Sequence, residues 1–239
     1  MSSSKNTSIK KAMLFAAGLG ERMRPLTIKN PKPLLPLGDK AIIDYSLFYL
    51  KKYGVEEAVI NTHYLAEKIE QHVGDGKKYG LKIIYSPEQQ LLGTGGGLKK
   101  AEEYFKNEEV FFTLNSDTLI NCDLEELTQF HLERKAPATL VAAPWQEGYT
   151  KIQVGQNRLL NVRCGDHLFT GLTILSPKIF EVLPEGKSNL ILDGIVPLMN
   201  RVKEIACFVH EGYWRDIGSL QNYQAAQEEW ASSHHNRLG

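Results

Sequence analysis

The residues best suited to chemistry lie close together near the N-terminus, in residues 12–37. An apolar run in this stretch ends at Gly18 and Gly20, and a basic, proline-punctuated segment that contains Arg22 and Lys32 follows. Glycine has no Cβ, so backbone N–H groups beside it can approach a phosphate chain closely. In α/β proteins, ligands bind where a buried strand ends in such a turn. The stretch therefore predicts a phosphate-binding loop at the carboxyl end of a strand.

Two well-known phosphate-binding loops do not fit this stretch. A Walker A loop ends in Gly-Lys-Ser/Thr, whereas this sequence continues with Glu21, Arg22 and Met23. A dinucleotide-binding fingerprint needs a third glycine at about position 23, and an acidic residue roughly 20 residues further on. Asp39 and Asp44 lie near that distance, but neither follows a second strand. The sequence therefore disfavours a dinucleotide-dependent oxidoreductase.

The order of residues in the same stretch resembles the signature of the sugar-1-phosphate nucleotidyltransferases, also called nucleotide-sugar pyrophosphorylases. The segments that carry the resemblance are Gly18-Leu19-Gly20-Glu21-Arg22-Met23-Arg24-Pro25-Leu26-Thr27 and Pro31-Lys32-Pro33-Leu34. The resemblance implies that Arg22 and Lys32 are catalytic: the arginine binds the triphosphate, and the lysine stabilises the charge that develops during displacement. It also implies that Ala17, Gly18 and Gly20 contact the nucleotide.

A second glycine-rich segment, residues 88–101, enters a predicted helix. By its composition alone, a simple loop before a helix explains it equally well. Beside the first motif, it resembles the Leu-Gly-Thr-Gly-Gly segment with which this family reads a uracil, thymine or guanine base. The resemblance implies nucleotide contacts at Glu88, Gly93 and Thr94.

Two aspartates are the candidate metal ligands. Residues 110–120 are predicted as one central strand that delivers Asp117, and an aspartate at the tip of a buried strand can bind a hard cation. The alternative is a turn or cap role, such as the one expected for Asp123 at the next helix. With the upstream motifs, Asp117 resembles the family's metal aspartate, and Asp216 resembles the aspartate of its Trp-x-Asp-x-Gly segment. The implied cofactor is Mg²⁺.

The sugar-binding residues are implied by weaker motifs in the second half of the chain. Thr170 and Gly171 resemble a Thr/Ser-Gly step whose backbone meets sugar hydroxyls, and Asp193 lies where relatives place an acidic residue against the sugar. Many relatives carry Glu-Lys-Pro shortly before that step, but residues 162–167 lack it. Either Arg163 replaces the missing lysine, or Lys32 serves alone.

The alternation of elements predicts the fold that positions these residues. Strands at 11–16, 56–63 and 81–87 alternate with helices at 41–53 and 64–73, which favours a parallel sheet covered by helices on both faces. Further strands are expected at 137–145, 151–154, 159–164 and 169–175. The family resemblance implies an α/β, Rossmann-like three-layer αβα fold, with a mostly parallel central sheet and a small sugar-binding lobe.

We expect a flexible tail at residues 1–8 and one nucleotidyltransferase domain at residues 9–232. Its parts are a nucleotide-binding part, a sugar-binding part and a C-terminal helix that begins after a Ser219 cap, at residues 9–135, 136–218 and 219–232. No appended repeat domain is expected.

Charge and composition narrow the class of ligand. Residues 1–52 hold ten Lys/Arg and three Asp/Glu, a balance of +7 in a chain of net charge zero. This asymmetry favours a polyanionic small molecule bound with a metal over nucleic acid. No apolar run is long enough to predict a membrane span. Three widely spaced cysteines predict neither disulfides nor a zinc site, which fits a reducing, cytoplasmic compartment. We also expect a monomer or homodimer.

The resemblance implies that an NTP and a sugar 1-phosphate react to give an NDP-sugar and pyrophosphate. The expected pair is UTP with N-acetylmuramate 1-phosphate or a similar sugar, and the alternative is GTP with mannose or heptose 1-phosphate. A non-catalytic, regulatory subunit that binds a nucleotide sugar is a further alternative, disfavoured because Arg22, Lys32, Asp117 and Asp216 are all present.

Overall fold

The computed structural model describes residues 8–202 and 204–232. Residues 1–7, which make up nearly all of the tail expected at residues 1–8, lie outside the described residues. Within the described ranges, none of the helices is both long enough and apolar enough to cross a bilayer.

The strands and helices alternate along the first half of the chain, as predicted. In chain order, the strands are β1 (Lys11–Phe15), β2 (Pro36–Leu37), β3 (Lys40–Ala41), β4 (Glu57–Thr62), β5 (Lys82–Pro87), β6 (Phe111–Asn115), β7 (Thr118–Ile120), β8 (Ala138–Pro144), β9 (Lys151–Gly155), β10 (Arg158–Asn161), β11 (His167–Leu175), β12 (Ala206–Val209) and β13 (Trp214–Asp216). The helices are α1 (Ile42–Lys52), α2 (Ala66–Val73), α3 (Gly93–Lys100), α4 (Glu102–Phe105), α5 (Leu124–Arg134), α6 (Val196–Met199) and α7 (Leu220–Ser232).

Nine strands form one large sheet, in the order β5-β4-β1-β6-β11-β8-β12-β10-β9. The first four run parallel, because helices connect them across the faces of the sheet. Ala12, Met13 and Leu14 in β1 are fully buried, as expected for a strand covered on both faces. From β11 onward most neighbours are antiparallel, so the sheet is mixed. The α/β fold class expected from the sequence is confirmed.

One expected strand is wrong in its extent. Residues 110–120 do not form a single strand, because the chain leaves the large sheet after Asn115 and turns at Ser116 and Asp117. Residues 118–120 then pair as β7 with β13 in a separate two-stranded sheet, with Asp216 opposite Thr118. Apolar residues resume directly after the polar turn, at Leu119 and Ile120, and this led to the expectation of a single strand. This small sheet is what brings the C-terminal Trp-x-Asp segment to the end of β6.

The expected helix caps are confirmed. The Asp123 carboxylate accepts hydrogen bonds from the backbone N–H groups of Glu125 and Glu126, and Ser219 Oγ accepts one from Asn222 N at 3.2 Å. The strand expected at 159–164 ends earlier, at Asn161, because the chain turns through Gly165 with a φ of +113°.

Candidate active site

The charged residues predicted for the site lie near the carboxyl ends of β1 and β6, which are neighbours in the large sheet. Phe15 lies opposite Asn115, and Ser116 N donates a hydrogen bond to Phe15 O at 3.1 Å. Ile217 N donates to Asp117 O at 2.9 Å, which ties the segment after β13 to the same turn. Backbone pairing of three distant segments therefore builds the site.

The segments enclose a cleft of about 450 Å³. Five residues that the sequence predicted for the site line the cleft: Gly18, Gly20, Arg22, Lys32 and Asp117. Gly218, which lies beside Asp216, lines it as well. Ala16 lines the cleft, whereas the predicted contact Ala17 is buried behind it.

Arg22 lies in the 3₁₀ turn Glu21–Met23, which directly follows residues 16–20, here called the first glycine loop. The loop and its turn are anchored from both sides. Gly20 adopts a left-handed conformation with a φ of +64°, and its carbonyl accepts a hydrogen bond from Thr27 Oγ1 at 2.7 Å. Met23 is fully buried in a cluster that also contains Ile217, so the turn cannot rotate freely. Arg22 is held at the cleft as a result.

Arg22 and Asp216 come close together beside Gly218. A Cβ built on Gly218 would lie 3.0 Å from Arg22 Nη2 and would overlap the Asp216 carboxylate. A glycine at this position therefore permits both charged groups to point into the same space.

Charged side chains of both signs surround Asp117 and Asp216. Lys32 Nζ forms an ion pair with Asp117 Oδ2, and both side chains are largely buried. Burial, followed by repulsion from the Asp117 carboxylate, raises the pKa of Asp216 to about 6, while Lys32 and Arg22 act in the opposite direction. Because the Asp117 carboxylate disfavours ionisation of Asp216, a cation beside the two groups would be stabilised.

This pair of carboxylates fits a magnesium ion. No cluster of three or more His, Cys, Asp or Glu side chains that could hold a metal occurs among the residues that the structure describes. Mg²⁺ characteristically needs only one or two carboxylates, with phosphate oxygens and water as its other ligands. Asp117 and Asp216 are the residues that would hold it.

The Thr170–Gly171 step lies next to the same turn. Gly171 has a φ of +92°, and a Cβ there would lie 2.6 Å from Asn115 Nδ2. The Thr170 carbonyl accepts hydrogen bonds from Trp214 Nε1 at 2.9 Å and Thr118 Oγ1 at 3.3 Å. The step is thereby fixed against β7, which directly follows Asp117, and against β13, which contains Asp216.

Two predicted sugar-binding residues lie away from the cleft lining. Arg163 is exposed in the turn between β10 and β11. The Asp193 carboxylate accepts a hydrogen bond from Asn189 N at 2.7 Å and so caps the π-helical turn Leu190–Ile195. Their roles toward a sugar stay predictions.

Residues 92–97, here called the second glycine loop, form the N-cap and N-terminal part of α3 and pack against the chain itself. Gly93 has a φ of +72°, and a Cβ there would lie 2.5 Å from Ser188 O. Gly95 N donates to the same carbonyl at 3.0 Å, and Thr94 Oγ1 accepts from Leu190 N at 3.0 Å. Neither Gly93 nor Thr94 lines the cleft, which Leu91 reaches instead.

The Glu88 carboxylate is buried and has both oxygens occupied. Oε1 accepts a hydrogen bond from Asn61 Nδ2 at 2.7 Å, and Oε2 accepts one from Leu92 N at 2.8 Å. Asn61 was not predicted from the sequence. A polar residue near the end of a buried apolar strand, as in Glu57–Thr62, was the available signal.

Two other residues that the sequence did not predict support Asp216. Tyr149 OH donates to Asp216 Oδ2 at 3.4 Å, and Asn222 Nδ2 donates to Tyr149 OH at 2.7 Å. Tyr149 lies in the loop between β8 and β9, and Asn222 lies in α7, so no local pattern relates them to the aspartate.

Comparison with known proteins identifies the family of the chain. The family model described as nucleotidyl transferase matches residues 11–159. The D-glycero-alpha-D-manno-heptose 1-phosphate guanylyltransferase of Aneurinibacillus thermoaerophilus is 31% identical over 225 residues, which cover 91% of this chain and 97% of that protein. The mannose-1-phosphate guanylyltransferase catalytic subunit beta of Dictyostelium discoideum is 31% identical over 224 residues, which cover 89% of this chain. The chain spans only 62% of the length of that relative.

A solved structure shares the fold. The crystal structure of HddC from Yersinia pseudotuberculosis superimposes with a TM-score of 0.78 at 24% identity, and the match covers 93% of this chain and 100% of that one. The family match extends over more than half of the chain, through β1, β6 and the turn that bears Asp117. The chain therefore belongs to the nucleotidyl transferase family, among the sugar-1-phosphate nucleotidyltransferases.

Proposed function

We propose that this chain joins an NTP and a sugar 1-phosphate to give an NDP-sugar and pyrophosphate. A phosphate oxygen of the sugar 1-phosphate forms a bond to the α-phosphorus of the NTP. The bond from that phosphorus to the bridging oxygen breaks, and the electron pair leaves with pyrophosphate. The observation that carries the proposal is the convergence of Arg22, Lys32 and Asp117 on one cleft at the end of β1 and β6, with Asp216 close to Arg22 and Asp117 beside Gly218.

The side chains in the cleft suit this reaction because the nucleophile is already an anion. No strong general base is needed, and the main tasks are to align two polyanions and to stabilise charge on the leaving group. The Arg22 guanidinium offers a planar fork to phosphate oxygens, and the Lys32 ammonium offers a point charge. Mg²⁺ held by Asp117 and Asp216 would neutralise phosphate charge.

The remaining assignments belong to the same proposal. Residues 9–135 bind the nucleotide, residues 136–218 bind the sugar, and α7 supports the segment that bears Asp216. The protein acts in the cytoplasm as a monomer or homodimer. At the sugar end, the backbone of Thr170 and Gly171 meets hydroxyl groups, while Arg163 and Asp193 are the side chains to test. An unchanged KM for sugar 1-phosphate in an Arg163→Ala variant would exclude a role for Arg163.

The choice of nucleobase and sugar lies between two pairs. UTP with N-acetylmuramate 1-phosphate is the pair expected from the sequence motifs. GTP with a heptose 1-phosphate is supported by the relative from Aneurinibacillus, whose name states that activity and which aligns over 97% of its own length.

The decisive experiment measures pyrophosphate release with Mg²⁺, each of the four common NTPs and a panel of sugar 1-phosphates. The panel includes N-acetylmuramate, mannose, glucose and heptose 1-phosphates, and mass spectrometry identifies the NDP-sugar. We expect release that requires both substrates and is abolished by EDTA. Binding of a nucleotide sugar without release for any pair would instead identify a regulatory subunit and overturn the proposal.

A further inference from the structure

The side chain of Asn61 connects the two glycine loops through a chain of buried hydrogen bonds. It lies near the carboxyl end of β4 and is 2% exposed. Its Oδ1 accepts a hydrogen bond from Ala16 N, at the start of the first glycine loop, at 2.9 Å. Its Nδ2 donates to Glu88 Oε1 at 2.7 Å, and Glu88 Oε2 accepts from Leu92 N, at the start of the second glycine loop, at 2.8 Å.

The direction of each hydrogen bond in this chain is fixed by chemistry. The backbone N–H groups of Ala16 and Leu92 can only donate. The side-chain atom of residue 61 that faces Ala16 N and the side-chain atom of residue 88 that faces Leu92 N must therefore both accept. Between residues 61 and 88, one side chain must then donate and the other accept. One amide and one carboxylate satisfy this requirement, whereas two carboxylates or two amides leave a clash or an unpaired buried group.

The second glycine loop is shaped to admit this pair. A Cβ built on Gly97 would lie 2.6 Å from Asn61 Nδ2 and 2.7 Å from Glu88 Oε1. These distances are shorter than real Cβ contacts, so the absence of a side chain at Gly97 leaves the space that the amide and the carboxylate occupy.

We propose that Asn61 is a positioning residue that holds the two glycine loops at a fixed separation, so that a nucleotide spanning them is aligned for reaction. The inference rests on the proposed function and on the family resemblance, which implies that the first loop contacts the phosphates and the second loop contacts the base. Asn61 does not line the cleft. It acts through Ala16 and Glu88, and a shift of one loop against the other moves the α-phosphorus relative to Lys32.

The pair can be tested by exchanging its two functional groups. In Asn61→Asp, two carboxylates face each other, and in Glu88→Gln, every amide orientation leaves one donor facing another donor. In the double variant Asn61→Asp/Glu88→Gln, the new carboxylate at position 61 accepts from Ala16 N and from the new amide at position 88, whose oxygen accepts from Leu92 N. The double variant therefore restores the pattern with the same total charge.

We expect each single variant to lower kcat/KM for the NTP by about 10-fold or more, the scale of one unpaired buried polar group. The double variant should recover most of that loss. Affinity for the magnesium complex of the NTP, measured by calorimetry without sugar 1-phosphate, should follow the same order. The recovery distinguishes a hydrogen-bond requirement from any direct contact that Glu88 makes with a base, since such a contact is altered equally in Glu88→Gln and in the double variant.

A matched control separates positioning from a general loss of stability. Thr113 Oγ1 and Thr173 Oγ1 form a buried hydrogen bond at 2.7 Å between β6 and β11. Thr173→Val breaks a buried pair of similar type, so it should lower the midpoint of urea unfolding without raising the KM for the NTP.

The outcomes are distinct. If Asn61→Asp keeps the wild-type KM and affinity, or if the double variant is no better than the single ones, the inference is wrong while the proposed function stands. If the wild-type protein binds NTP but releases no pyrophosphate with any pair, the proposed function fails, and the affinity series still decides the role of Asn61. A wild-type protein that binds no NTP would overturn both.

Discussion

The two glycine loops look alike in sequence but use their glycines for different purposes. In the first loop, a Cβ on Gly18 would meet no atom within 4 Å, and the residue is exposed to the cleft. In the second loop, a Cβ on Gly93, Gly95 or Gly96 would collide with the segment at residues 186–190. At Gly18 the first loop therefore leaves space for a ligand, although Gly20 packs against Thr27, whereas most of the space in the second loop is taken by the protein itself.

This difference shows that a glycine-rich segment predicts a close approach without saying what approaches. The first loop ends a buried strand at the open edge of the sheet, so solvent and substrate can reach it. The second loop begins α3, and residues 186–190 cover it through hydrogen bonds. Thr94 Oγ1 accepts from Leu190 N, while Ser188 donates its N–H to Leu92 O and accepts from Gly95 N at its carbonyl. We therefore expect substitutions at Gly18 in the first loop to weaken ligand binding, and substitutions in the second loop to lower the free energy of unfolding.

The largest effect is expected from the charged groups beside the first loop. Lys32→Ala or Asp117→Asn should lower kcat by at least about 100-fold, the scale of losing one preorganised electrostatic contact. Steady-state release of pyrophosphate measures it. The control is Arg24→Ala, because Arg24 is in the same segment but forms only a long, exposed ion pair with Glu21. Near-normal turnover in either cleft variant would refute the role assigned to that residue.

In the second loop, the expected effect is on stability. Gly93→Ala should lower the free energy of unfolding by about 2 kcal/mol or more, because the positive φ and the overlap with Ser188 O both disfavour a side chain. Urea unfolding followed by circular dichroism measures it. Gly80→Ala is the control, since Gly80 also has a positive φ of +70° but its nearest neighbour is the flexible end of Lys51. Equal losses in the two variants would show that the packing against Ser188 contributes nothing.

In the first loop, Gly18→Ala should weaken binding while leaving the fold intact. The new methyl group projects into the cleft, so we expect affinity for the NTP to fall by about 10-fold, which corresponds to about 1.4 kcal/mol. The free energy of unfolding should change by no more than about 0.5 kcal/mol, as at other unpacked surface positions. Calorimetric titration and urea unfolding of the same sample measure the two quantities. A large loss of stability with unchanged affinity would reverse the comparison between the loops.

The smallest effect is expected at Thr94. Its hydroxyl oxygen accepts a hydrogen bond from Leu190 N, so Thr94→Val should lower the free energy of unfolding by about 1 kcal/mol. Thermal and urea unfolding measure this change. A rise in the KM for the NTP without any loss of stability would instead place the hydroxyl against the nucleotide, as the sequence motif implies.

The sequence pointed to four charged residues that the fold brings close together, but it did not reveal what surrounds them. Arg22, Lys32, Asp117 and Asp216 could be singled out because each belongs to a short segment with a fixed order of residue types, and their roles stay predictions. Asn61, Tyr149 and Asn222 were missed because each acts through a partner that is distant in the chain. The break between β6 and β7 was also missed, since apolar residues continue on both sides of the turn.

The sequence by itself determined the alternation of strands and helices, the caps at Asp123 and Ser219, and the charged groups available for phosphate chemistry. These features depend on neighbouring residues, whose periodicity and side-chain hydrogen bonds are local. Only the tertiary structure decided that β7 pairs with β13 to bring Asp216 to Asp117, and that residues 186–190 fill the space beside the second glycine loop. Contacts between distant segments depend on the register and packing of the whole chain, which no short stretch of residues encodes.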